Sequence, residues 1–171
     1  MVEIGEGLPA TRLILRGDAA VAARAGAAFG VSLSAVPHCA NVQDGGAAGG
    51  RAALWLGPDE WLLLAPEGDV PDLAGALDDA LAGITHSLVE VSDGFVALWL
   101  RGEDAALTLS AGCPLDLDLA AFPPGMATRT VLGRIGITLW RRAAEDWHIE
   151  VARSHAAYAR AFLTEAMPVS E

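Results

Sequence analysis

The feature that most constrains the fold of this chain is an internal repeat. A shift of 85 residues, from Arg16 to Arg101, aligns the tetrapeptide at 15–18 with the one at 100–103. Two tryptophan pairs keep nearly the same spacing: Trp55 with Trp140, and Trp61 with Trp147. A repeat of this period arises when one supersecondary unit occurs twice. The 171 residues are therefore expected to form two similar units.

Each unit has the periodicity of a mixed αβ structure. Alternating leucines at 12–16 and again at 95–101 are typical of half-buried strands, and each run ends in glycine and then acidic residues that favour a helix N-terminus. A hairpin and a second helix follow in both units, and a closing strand follows in the first. The order β-α-β-β-α-β predicts an α+β fold of two fused ferredoxin-like (split βαβ) units, complete once and nearly complete the second time. Its sheets should be mostly antiparallel, with helices packed on them.

The boundaries follow from the same patterns. We expect a single compact domain over 1–171, with the repeat at approximately 11–92 and 94–166. The predicted elements are hairpins at 52–56 with 61–65 and at 135–141 with 147–152, helices at 70–82 and at 154–166 with Ser154 as N-cap, and a strand at 85–91. Two irregular loops remain. The Gly/Ala-rich loop at 34–50 is expected to be mobile, and the loop at 112–126 is expected to be ordered because prolines stiffen it and apolar side chains hold it.

Composition excludes several classes of partner. The chain has 22 acidic residues against 11 basic ones, a net charge of -11, so neither half offers the positive field that nucleic acids or anionic membranes require. No apolar run approaches the ~20 residues of a transmembrane helix, and the first residues lack the charge and apolar core of a secretory signal. We therefore expect a cytoplasmic protein.

The sequence contains no spacing that is typical of a catalytic or metal-binding site. The two cysteines, Cys39 and Cys113, lack the spacing of a zinc site, and the adjacent side chains of His38 and Cys39 should point to opposite faces of an extended chain. The glycines within 45–50 lack the strand and helix context of a nucleotide-binding loop. Paired carboxylates lie in predicted turns or on helix surfaces. The predicted catalytic, cofactor-binding and metal-binding sets are therefore empty.

Three segments carry a resemblance to a known family. They are GCPLDLDLAAFPPG at 112–125, LWLGPDEWLLLAP at 54–66 and HSLVEVSDGFVALWLRG at 86–102. Together with the C-terminal WHIEVARSHAAYARAFL, they resemble the gamma subunit of bacterial heterotetrameric sarcosine oxidase. That family is similar in fold to the aminomethyltransferase (T-protein) of glycine cleavage, which agrees with the ferredoxin-like units.

The resemblance implies a role in a complex. The alpha, beta, gamma and delta subunits of such an oxidase together demethylate sarcosine oxidatively to glycine and hydrogen peroxide. The one-carbon unit leaves as formaldehyde or as 5,10-methylenetetrahydrofolate. The resemblance implies that flavin, NAD, folate and zinc belong to the partner subunits and none to this chain. It also implies that this chain is a non-catalytic subunit, with alpha as its most direct contact and with possible self-association when isolated.

The candidate partner interface combines a strand tryptophan with the proline-rich loop. Trp99 should lie on the sheet face opposite its neighbouring leucines, where either helices or a partner must cover it. The candidate interface residues are Trp99, Leu117, Phe122, Pro123 and Pro124. The alternative interpretation is a self-standing folate-binding or other small-molecule binding module of the aminomethyltransferase-like superfamily.

Overall fold

A computed structural model describes residues 1–43 and 50–168 of the chain. The strands are β1 (Val2–Glu6), β2 (Ala10–Arg16), β3 (Ala40–Val42), β4 (Ala52–Gly57), β5 (Glu60–Pro66), β6 (Ser87–Glu90), β7 (Phe95–Gly102), β8 (Ala127–Leu132), β9 (Ile135–Ala143) and β10 (Asp146–Ala152). The helices are α1 (Ala19–Phe29), α2 (Val70–Leu81), α3 (Ala105–Ser110) and α4 (Ala156–Ala166). Among these helices none is both long and apolar enough to cross a bilayer.

The chain divides into two compact units of α+β structure. The first unit is Pro9–Ser92, and the second combines Met1–Leu8 with the described part of Asp93–Glu171. Each has one five-stranded antiparallel sheet and two helices. The fold class predicted from the sequence is thus confirmed, while the single-domain expectation stays a prediction. The N-terminal segment was outside the predicted repeat, and its place in the second unit is a finding of the structure.

The first unit has the full ferredoxin-like strand order. Its sheet runs β3-β4-β5-β2-β6, so the four strands of the β-α-β-β-α-β unit lie in the order second, third, first, fourth. One face carries leucines of β2 and β5, which pack with Phe29 of α1 and with Leu73, Leu77 and Leu81 of α2. β3 extends the sheet at one edge and lies inside the stretch 34–50 that the sequence assigned to an irregular loop. Residues 44–49 of that stretch lie outside the described residues.

The second unit takes its fourth strand from the start of the chain. Its sheet runs β1-β7-β10-β9-β8, and β1 pairs antiparallel with β7 from Val2 opposite Gly102 to Glu6 opposite Leu98. β1 therefore holds the place that β6 holds in the first unit, and β8 extends the opposite edge as β3 does. The core of this unit contains leucines of β7 and α3, Trp147 and Ile149 of β10, and Leu163 of α4.

The register of the hairpins corrects one sequence alignment. Trp55 lies opposite Trp61 in the first unit, whereas Arg141 lies opposite Trp147 in the second. The counterpart of Trp55 is therefore Arg141, and pairing Trp55 with Trp140 was wrong by one residue. The residue inserted in the second unit lies before the hairpin and not in its turn, so the whole hairpin aligns with a shift of 86. Because a shift of one residue moves a side chain to the other face of a sheet, Trp140 and Trp55 lie on opposite faces of their sheets.

The two units differ in how their helices begin. Asp18 is the N-cap of α1, and its Oδ1 accepts hydrogen bonds from the N–H groups of Ala20 and Val21 at 2.9 and 3.0 Å. The expectation that Ser154 caps the last helix was wrong, because Arg153–His155 form a short 3-10 turn and α4 begins after His155. No side-chain hydrogen bond caps α4.

Candidate interaction surface

The loop at 112–126 contains no helix or strand and is held from inside the second unit. Cys113, Leu117 and Phe122 point into the core with exposed fractions of 4%, 5% and 1%. The ring centroid of Phe122 lies 5.3 Å from that of Trp147. Leu117 and Phe122 were predicted from the sequence to be interface residues. In the structure their side chains are buried in the core and support the loop from inside.

Arg141 binds the same loop through its guanidinium. Its Nη1 donates to the carbonyl oxygens of Leu117 and Phe122 at 3.1 and 2.8 Å, while Nε and Nη2 donate to the carbonyl of Ala144 at 3.0 and 2.6 Å. The guanidinium carbon also lies 4.6 Å from the ring centroid of Trp147. Burial lowers the pKa of Arg141, and the negative charge of Asp118 opposes that shift.

Short-range hydrogen bonds shape the turn that faces outward. Asp116 Oδ1 accepts from the N–H of Asp118, and Asp118 Oδ1 accepts from the N–H of Ala120. The carbonyl of Asp118 also accepts from the N–H of Phe122 at 2.8 Å. Aspartate side chains commonly stabilise turns in this way. The Asp-Leu-Asp sequence thus has a local structural role.

The outward side of the loop is mixed apolar and acidic. Leu119 has half of its surface exposed. The other exposed residues are Pro114, Asp116, Asp118, Ala120, Ala121, Pro123 and Pro124. Two of the five nominated interface residues, Pro123 and Pro124, therefore lie on the surface of the loop, and Leu119 lies between them and the acidic residues in sequence.

Trp99 lies on the other face of the second sheet. Its neighbours Leu98 and Leu100 belong to the core that contains Leu117 and Phe122, so Trp99 points away from them. The Trp99 ring covers Gly5 of β1, its Nε1 donates to the carbonyl of Glu6 at 3.2 Å, and the guanidinium of Arg101 lies 4.7 Å from its centroid. The structure does not bring Trp99 together with the loop.

The other residues considered from the sequence have identifiable contacts. The His38 ring packs edge-on against Trp55 with centroids 5.2 Å apart, and the Cys39 thiol lies 3.5 Å from Asn41 Oδ1. Glu60 pairs with Arg16, and Asp146 pairs with Arg101. Within residues 1–43 and 50–168, no three or more His, Cys, Asp or Glu side chains are grouped as a metal site.

Sequence reasoning missed Arg141. A single arginine in a strand that is otherwise apolar on its core face does not by itself indicate that its side chain binds a loop. The signal becomes clear only when the hairpins are aligned with a shift of 86 residues, from Trp61 to Trp147, because Trp55 then aligns with a charged residue.

Comparisons with known proteins agree over nearly the whole chain. The model of the sarcosine oxidase, gamma subunit family matches residues 16–168. A sarcosine oxidase subunit gamma from Arthrobacter sp. is 43% identical over 104 residues, which are 61% of this chain and 50% of that protein. The one from Corynebacterium sp. strain P-1 is 38% identical over 71% of this chain and 59% of its own length. The one from Corynebacterium sp. strain U-96 is 34% identical over 88% and 69%.

Solved structures give the same relationship. A chain of the heterotetrameric sarcosine oxidase from Corynebacterium sp. U-96, in complex with pyrrole 2-carboxylate, matches with a TM-score of 0.88 and 33% identity. The match covers 99% of this chain and 88% of that one. The glycine cleavage aminomethyltransferase T of Bartonella henselae matches with a TM-score of 0.70 at 13% identity, over 95% of this chain and 45% of that one, and shows a shared fold. The chain spans only 50% and 59% of the length of two of its curated relatives. It belongs to the sarcosine oxidase gamma subunit family.

Proposed function

We propose that this chain is a non-catalytic gamma subunit of a heterotetrameric sarcosine oxidase. The complex would demethylate sarcosine oxidatively to glycine and hydrogen peroxide, with the one-carbon unit leaving as formaldehyde or as 5,10-methylenetetrahydrofolate. The observation that supports this proposal most is the TM-score of 0.88, over 99% of this chain, to a chain of a solved heterotetrameric sarcosine oxidase.

The proposed role is structural. The alpha, beta and delta subunits would supply the flavin, NAD, folate and zinc, and this chain would pack on alpha in the cytoplasm. Its large rings are engaged in packing: Phe122 contacts Trp147, and Trp55 contacts His38. These contacts fix side chains within each unit, which suits a preformed binding surface better than a site that closes on a substrate.

The outward side of loop 112–126 is the surface we propose for docking on alpha. Leu119, Pro123 and Pro124 supply exposed apolar area, while Leu117 and Phe122 hold the loop from the core side. Apolar side chains on a rigid support are suited to binding because little conformational freedom is lost when they are covered. Trp99 remains a second proposed contact on the opposite face of the sheet.

Co-expression with candidate alpha, beta and delta chains tests the proposal. The tagged wild-type chain should retain the other subunits on an affinity column. Leu119→Asp should weaken this association by about tenfold or more, because a charge would be covered at the interface. Leu107→Asp is the matched control, since Leu107 is an exposed leucine of α3 in the same unit with 61% of its surface accessible. Equal retention of both variants would contradict the proposed surface, and failure of the wild-type chain to retain any subunit would contradict the proposed function.

The alternative function is a self-standing module that binds folate or another small molecule. One observation favours it: an open, largely apolar groove of about 580 Å³ beside α1, with Trp61 at its wall. Small-molecule sites commonly occupy about 300–1,000 Å³. Purified alone, a gamma subunit should be colourless, inactive on sarcosine and prone to self-association. Saturable quenching of tryptophan fluorescence by a reduced folate would support the alternative instead.

A further inference from the structure

A charged side chain occupies a core position in the second unit. Arg141 lies opposite Trp147 of β10, which in turn lies opposite Leu100 of β7, and only 5% of Arg141 is exposed. Trp55 occupies the same position in the first unit. Replacing buried ionic groups by well-packed apolar residues is often neutral or stabilising. Core packing alone therefore does not account for an arginine at this position, and its polar contacts have to.

The polar contacts of Arg141 are made to loop 112–126 and to the turn of the β9–β10 hairpin. A single nitrogen, Nη1, donates to the carbonyls of both Leu117 and Phe122, which flank the exposed turn at 118–121. The other two nitrogens donate to the carbonyl of Ala144 at the end of the β9–β10 hairpin. The backbone of Arg141 adds two bonds to the exit of the loop, to the carbonyl of Met126 and from the N–H of Gly125. One residue thus fixes both ends of the outward turn.

We infer that Arg141 is a positioning residue for assembly, which holds the turn at 118–121 in the shape that docks on the partner subunit. This inference rests on the proposed function. The side chains at 118–121 are exposed and none belongs to the core cluster. Apart from the local bonds of Asp118, the turn that carries Leu119 is held at its two ends, by the buried side chains of Leu117 and Phe122 and by their carbonyls, which Arg141 binds. A planar guanidinium bridges several carbonyls at fixed angles, whereas the single ammonium group of a lysine does not.

Two substitutions separate positioning from core packing. Arg141→Met keeps an unbranched stem that can pack on Trp147 and removes every side-chain donor. Arg141→Lys keeps the charge and a donor but loses the planar fork. Three quantities are measured for each variant: the Tm, the hydrogen exchange of amides in 115–124, and the Kd for the co-expressed alpha chain. Leu119→Asp is combined with each variant, with Leu107→Asp as the surface control.

The inference predicts a pattern that a packing role would not give. Arg141→Met should remain folded, lose exchange protection in 115–124 and weaken binding by about tenfold or more, with Arg141→Lys intermediate. Leu119→Asp should then cost less than about threefold in the Arg141→Met background, because residues that act together are not additive. If Arg141→Met is unfolded, Arg141→Lys carries the same comparison.

Two results separate the inference from the proposed function. A lower Tm with an unchanged Kd and unchanged exchange in 115–124 would overturn the positioning role, whatever the wild-type chain binds. If the wild-type chain binds no alpha chain, the proposed function fails together with the docking role. Unaltered exchange in 115–124 on Arg141→Lys and Arg141→Met would show that Arg141 does not position the loop either.

Discussion

The two units reach the same strand order from different parts of the chain. In the first, β6 follows α2 and pairs with β2, whereas in the second, β1 comes from the N-terminus and pairs with β7. The hydrogen bond that ends each pairing is the same: Val91 N–H donates to Arg12 O at 2.8 Å, and Gly7 N–H donates to Ala97 O at 2.8 Å. In both units the fourth strand binds the same edge of the sheet, that of β2 or β7, although it comes after that strand in one unit and before it in the other.

The same contacts recur at the turn after the first strand. Arg16 pairs with Glu60 at 2.7 Å in the first unit, and Arg101 pairs with Asp146 at 3.2 Å in the second. The glycine after each arginine donates its N–H to a carbonyl of the hairpin turn at 3.0 Å. The repeated Leu-Arg-Gly sequence is therefore the site where the first strand and the hairpin turn are joined in both units.

The units differ in how they hold the segment after their first helix. In the first unit the Trp55 ring contacts His38, and Trp61 Nε1 donates to the carbonyl of Ser34 at 2.8 Å. In the second unit Arg141 takes the place of Trp55 and binds loop carbonyls. Both units therefore hold the backbone of this segment through a side-chain donor of the hairpin, an indole N–H in the first unit and a guanidinium in the second.

The largest loss of stability is expected for Trp61 and Trp147, which occupy matching positions in the two hairpins. Trp147→Ala should lower the free energy of unfolding by about 3–5 kcal/mol, the range for a buried aromatic residue replaced by alanine. Trp61→Ala should fall in the same range, since the two side chains are 0% and 2% exposed. Urea denaturation followed by circular dichroism measures both values.

The location of the disturbance distinguishes the two tryptophan variants. Trp147→Ala removes the ring that Phe122 and Arg141 contact, so hydrogen exchange should increase within 112–126. Trp61→Ala removes the donor to Ser34, so exchange should increase near residue 34. Increased exchange at the same segment in both variants would contradict separate support of the two segments.

A smaller effect is expected where the fourth strands differ. Gly5 of β1 lies opposite Trp99, and the corresponding pair in the first unit is Val89 opposite Ile14. A Cβ at Gly5 would overlap the indole ring of Trp99. Gly5→Val should therefore lower the free energy of unfolding by about 1–3 kcal/mol, the usual cost of overpacking. Thermal and urea unfolding of the variant measure this loss.

The first unit supplies the rescue for that variant. Adding Trp99→Ile recreates the Val-Ile pair and should recover part of the loss, because the ring no longer fills the space above β1. Val89→Ala is the control, since Val89 is half exposed and its truncation should change stability by no more than about 0.5 kcal/mol. If Trp99→Ile and Gly5→Val destabilise additively, the two residues do not compete for the same space.

Much of the fold could be predicted because its elements are local. The strand at 12–16, the hairpins and the helix at 70–82 each have a periodicity and turn residues that specify them without help from distant parts of the chain. β1 could not be predicted in the same way. Its sequence is short and contains a glycine, and only pairing with β7 and packing of Val2 and Ile4 on the core identify it as a strand.

The candidate surface was predicted less completely. The prolines and the regular spacing of leucines identified 112–126 as a packed loop, but did not show which side chains point inward. Leu117 and Phe122 point into the core and Leu119 points outward, because the turn at 118–121 is exposed along its whole length and only the residues that flank it are buried. The role of Arg141 could not be predicted from the sequence, because it depends on contacts with carbonyl groups 19 and 24 residues earlier in the chain.

The smallest predicted effect concerns the acids that follow the first strand of each unit. Asp18 accepts two backbone hydrogen bonds at the start of α1, whereas Asp104 makes no side-chain bond to α3 and instead accepts from the Met1 ammonium at 3.1 Å. Asp18→Ala should lower the free energy of unfolding by about 1 kcal/mol, the usual cost of losing an N-cap. Asp104→Ala should cost less, because no backbone N–H of its helix loses a partner. Equal losses in parallel urea titrations would show that helix capping does not distinguish the two units.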